Sequence, residues 1–161
     1  MISPVPGTSP LDIDAAASGP FGETSALRAL AYLQVATADA LAGFEKMVEK
    51  AEPEFRPIAI KFRDLHASQL RELISLVVKA GGEADADGSF MATVNKMVIA
   101  TRALFDEIDD DVMDSVRNGE EHVLSAFDGA IADPVDEATD ARVQHLRGDL
   151  VALLSATSHI D

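Results

Sequence analysis

The chain has 161 residues, enough for one domain with a sizeable core, and its 47% hydrophobic against 25% charged content is that of a globular protein. Its 28 acidic residues outnumber 13 basic ones, and the formal charge of -15 repels phosphate backbones and anionic lipid surfaces, which argues against nucleic-acid and membrane partners. The lack of cysteine excludes disulfides, thiolate catalysis and Cys-ligated zinc or iron-sulfur centres.

Residues 1–22 hold Pro4, Pro6, Pro10 and Pro20 among Gly, Ser and Ala. They lack a helical period and the hydrophobicity to fold alone, so they read as a flexible arm preceding a single domain over residues 23–161. The arm has neither a basic n-region nor an apolar h-region. Later apolar stretches are cut by Arg28, Asp39 and Arg63, short of the roughly 20 residues that span a bilayer. The expectation is a soluble, cytoplasmic protein.

Five segments then carry apolar residues at helical spacing. The first opens at Thr24 or Ser25, either of which can cap it, with a stripe of Leu27, Leu30, Gln34, Ala38, Leu41, Glu45 and Val48. A second row, Ala29, Leu33, Ala36, Ala40, Gly43 and Met47, is small enough to let another helix approach. Glu52-Pro53 ends this helix. The second segment tolerates Pro57 in its first turn, carries Ile58, Phe62, Leu65, Gln69, Leu73, Leu76 and Ala80, and stops at Gly81-Gly82. The short link makes the two an antiparallel hairpin.

A polar loop from Glu83 to Gly88 leads to a helix capped by Ser89, with Val94, Met97, Val98, Thr101, Leu104 and Phe105. Asp109, Asp110 and Asp111 suit the N-terminus of the next helix, which bears Val112, Val116, Val123, Phe127 and Ile131 and is weakened by Gly119. Asp133-Pro134 resets the chain before a fifth helix with Val143, Leu146, Leu150, Leu153 and Leu154. These last two form a second hairpin. Two antiparallel hairpins joined by a long crossover that contains an extra helix predict an all-α, ferritin-like four-helix bundle.

The tight first hairpin, Gly81-Gly82, Gly88-Ser89 at the connector and Gly119-Glu120 within the fourth helix resemble bacterial ferritin-like proteins known only as a domain of unknown function. The resemblance spans about Ser25 to Ala156 and implies a fold more than an activity. Di-iron members of the ferritin-like superfamily place Glu-x-x-His on two helices and one Glu on each of the other two. Here His66 is preceded at i-3 by Arg63 and His145 by Arg142, so a permanent cation replaces the bridging carboxylate in both motifs.

Candidate metal ligands are therefore His66 and His145, helped by Glu45 and Glu120 or Glu121, for a mononuclear or weak site holding iron or manganese. The competing reading pairs these groups with one another in a satisfied polar network, with no cofactor. Glu45, Gln34 and Gln69 fall on apolar stripes and would need hydrogen-bond partners if buried. The acids of Glu83 to Ser89 lack the distal Glu of a calcium loop, paired haem ligation by His66 and His145 would need an open slot between helices, and no Gly-x-Ser-x-Gly elbow marks a hydrolase. No catalytic residue is assigned. The pattern favours a non-enzymatic bundle that binds itself, as a homodimer, or a protein partner. The alternative is a ferritin-like metal-binding protein with oxidase or storage activity.

Overall fold

The computed structural model describes residues 24–82 and 112–160. They form four α-helices and no strand: α1 (Ser25–Lys50), α2 (Arg56–Lys79), α3 (Val112–Ala132) and α4 (Glu137–Ala156). The helix expected from Ser89, the acids Asp109 to Asp111 and the arm lie outside the described residues.

Each boundary has a local cause. Thr24 caps α1 by accepting the Leu27 N–H on its hydroxyl at 3.1 Å. At the far end the Ala51 N–H bonds to Met47 O, the Arg56 guanidinium donates to Ala51 O at 2.9 Å, and Pro53 offers no N–H to extend the ladder. Pro57 sits in the first turn of α2, where its missing donor costs nothing. That helix closes in a Schellman turn: Gly81 adopts φ 93°, its N–H bonds to Val78 O, and the Gly82 N–H bonds to Val77 O. Asp136 caps α4 by accepting the Thr139 N–H at 2.7 Å, and this backbone bond holds its carboxyl below the usual range.

The helices close a four-cornered bundle in which α1 packs on α2 and α3, and α4 packs on the same two. The pairs α1 with α4 and α2 with α3 stand on the diagonals. Ser25 at the start of α1 hydrogen-bonds to Asp133 just past α3, and Tyr32 meets His122, so α1 and α3 are antiparallel. Gln69 bonds to Leu146 and Glu72 to Arg142, so α2 and α4 are antiparallel too. With α1 and α2 joined as a hairpin, α2 and α3 run parallel across the diagonal.

Leu33, Phe62, Leu73, Phe127 and Leu150 have no exposed surface and form the middle of the core. The phase of the stripes differs from the sequence reading. On α1 the inward column is Leu27, Leu30, Leu33, Thr37, Phe44 and Met47; Glu45 is exposed and Gln34 only half-buried. On α2 it is Ala59, Phe62, His66, Gln69, Leu73 and Val77, while Ile58, Leu65 and Leu76 are half-buried beside it. The reason is geometric: one residue rotates a helix by about 100°, so a stripe followed one position late turns an acid inward and a phenylalanine outward. The small row Ala36, Ala40 and Gly43 faces α3 of the same chain.

Candidate functional site

α2 carries His66 and α3 carries Glu120, both on the inner faces of helices that do not touch along their backbones. Their side chains meet across the bundle axis, His66 Nε2 lying 2.7 Å from Glu120 Oε1, with His66 0% and Glu120 1% exposed. Phe44 of α1 stacks on the imidazole with ring centres 5.5 Å apart, and its ring also stacks on Phe62 at 5.0 Å. Gln69, one turn beyond His66, donates to Leu146 O at 2.8 Å and ties this polar layer to α4. All four helices thus contribute.

The layer is not fully satisfied. His66 Nδ1, Gln69 Oε1 and Glu120 Oε2 are buried without a hydrogen-bond partner. Leaving such atoms dry costs free energy, so they mark the least comfortable part of the interior.

The remaining candidates do not join this layer. His145 is 61% exposed on α4 and lies 3.6 Å from Asp149 one turn on, while Glu45 and Glu121 are exposed on α1 and α3. The comparable positions of His66 and His145 therefore do not translate into comparable environments. Arg63 bonds its neighbour Asp64 at the surface, and Arg142 reaches Glu72 at 2.6 Å, so neither guanidinium enters the interior. Among the described residues no group of three or more His, Cys, Asp or Glu side chains is placed to hold a metal ion. No described helix is long and apolar enough to cross a membrane.

Beside the polar layer lies a groove of about 510 Å³ between α1 and α3. Ala36, Ala40, Phe44 and Met47 give it apolar walls, and Asp39 and Glu120 bring a carboxyl from each helix. Asp39 is half-buried, its Oδ1 has no hydrogen-bond partner, and desolvation pushes its carboxyl up to about 6 against the opposing field of His122. His122 stands at the groove margin, its Nε2 3.3 Å from the Tyr32 hydroxyl. The sequence reading used Asp39 only as an interruption of an apolar stretch. Its spacing carried a usable signal, because a residue three after Ala36 and four before Gly43 shares their face of α1. Phe44, which covers His66, was likewise absent from both rows traced on α1.

Neither the curated proteins nor the solved structures yielded a match. Residues 25–133 match a family model described as "Domain of unknown function (DUF2383)". The matched stretch contains His66, Glu120 and both walls of the groove, and it stops before α4. With about two thirds of its length matched, the chain belongs to the DUF2383 family.

Proposed function

We propose that this protein is a non-enzymatic binding module: a ferritin-like helical bundle without ferritin chemistry, acting by association through its surfaces and its groove. The single observation that carries the reading is the 2.7 Å pair of His66 and Glu120, the buried histidine and the buried glutamate, which engage each other and not a cluster of further ligands. A di-metal centre needs several carboxylates around two cations, and here Glu45, Glu121 and His145 point to solvent from separate helices. The parallel diagonal of α2 and α3 supports the ferritin-like topology, because parallel neighbours in chain order require a connection that returns along the bundle. Burial of Ala36, Ala40 and Gly43 against α3 removes the small-residue row as a dimer contact and leaves exposed Tyr32, Val78 and Val151 for association with a second copy or a protein partner.

The test is elemental analysis with ferrous and manganous titration of wild type beside His66→Ala and His145→Ala. The expected result is less than one equivalent of tightly held metal in every form. Two tightly bound ions in wild type, lost in the variants, would make the protein a metal-binding ferritin relative instead. Light scattering at micromolar concentration reads the self-association directly.

A further inference from the structure

We propose that the groove between α1 and α3 binds a small organic ammonium compound, an amine with an apolar body, held by Asp39 and Glu120. Its volume of about 510 Å³ is in the range of small-molecule sites, and its walls are mostly apolar with few polar groups, which is how such sites are built. The polar groups it offers ask for a donor. Asp39 Oδ1 and Glu120 Oε2 come from different helices, both line or abut the same space, and both are buried with no hydrogen-bond partner. Glu120 is 1% exposed, so bulk water does not reach its free oxygen.

Ammonium N–H groups satisfy carboxylate oxygens and neutralise their charge, while the apolar body covers Ala36, Ala40, Met47 and the ring of Phe44. A bare metal ion leaves those walls unused and finds no three-ligand set among the described residues. An anion meets two acids. The upward push on the Asp39 carboxyl, to about 6, reports the same missing donor, and His122 is the cationic group that opposes it. The formal charge of -15 draws cations toward the whole molecule and adds to the encounter rate.

This assignment rests on the reading of the bundle as a binding module, and the two fail separately: metal loading tests that reading, amine binding tests this one. Calorimetric titration of the full chain at pH 7.5 uses phenethylamine as the probe and 2-phenylethanol as its neutral counterpart. Saturable binding of the amine is expected, on the order of tenfold tighter than the alcohol, as one desolvated charge-assisted contact implies. Asp39→Asn, which relieves a desolvated carboxylate and keeps the fold, is expected to lose that tenfold preference. Gly119→Leu, whose added carbon meets nothing within 4 Å, is expected to fill the groove and abolish binding of both compounds. Glu45→Gln, which removes an exposed acid elsewhere on α1, is expected to leave binding unchanged. The proposal is overturned if wild type does not bind the amine at millimolar concentration, if the alcohol binds equally well, or if Glu45→Gln weakens binding as much as Asp39→Asn does.

Discussion

His66 and Glu120 come from helices on opposite corners of the bundle, yet their side chains meet at 2.7 Å with no solvent contact. Two long side chains reaching over the axis tie α2 to α3 where the backbones do not pack. The link is a strong constraint on register, because sliding either helix by one turn would strand both groups in an apolar core.

Removing one partner is therefore worse than removing both. His66→Ala deletes the ring that stacks on Phe44 and leaves the Glu120 carboxyl buried and uncompensated, at an expected cost of about 3 to 5 kcal/mol. Glu120→Gln keeps an acceptor for the imidazole and is expected to cost about 1 kcal/mol. The double variant His66→Leu with Glu120→Leu is expected to be more stable than His66→Ala alone. Urea unfolding followed by circular dichroism measures all three, and equal losses for the single and double variants would show that the pair is not coupled.

The α2 terminus is equally specific. Gly81→Ala forces a side chain into φ 93°, and at Gly82 a Cβ would stand 2.6 Å from Val77 Cγ1 and 3.0 Å from Val77 O. Each substitution is expected to destabilise by about 1 to 2 kcal/mol, read as a lower melting temperature.

Gly129 and Gly148 behave oppositely. Both lie inside helices, and a Cβ at either position meets nothing within 4 Å. Alanine there restricts the unfolded chain without crowding the folded one, so each variant is expected to gain about 0.5 to 1 kcal/mol. A melting temperature unchanged or lowered in both would contradict this.

Asp39 makes stability depend on pH. Its folded carboxyl titrates near 6, above the unfolded value of 3.8, so the native state holds this proton more tightly than the unfolded chain. The cost of the ionised form is complete above about pH 6 and disappears as pH falls toward 3.8. Asp39→Asn is expected to stabilise the protein at pH 7 by about 1 kcal/mol, discounted for a half-exposed group, and to show no gain at pH 4. Denaturant midpoints of both forms at the two pH values provide the check.

The amino-acid sequence by itself determined where helices run. Thr24, Pro57, Gly81-Gly82 and the apolar spacing mark α1 and α2 closely, since capping and periodicity act within a few residues of chain. It also brought His66 and Glu120 forward as candidates. It did not determine which side of each helix faces inward. On α1, apolar or small residues lie on more than one face, so the periodicity supports two phases, and Glu45 and Phe44 differ by a single step. Only packing against α2 and α3 selected Phe44. The same step decided that His66 is buried while His145 faces solvent, that Arg63 and Arg142 stay at the surface, and that Asp39 opens on a groove. Those outcomes depend on neighbours distant in sequence, because burial and desolvation belong to the assembled bundle and not to any one helix.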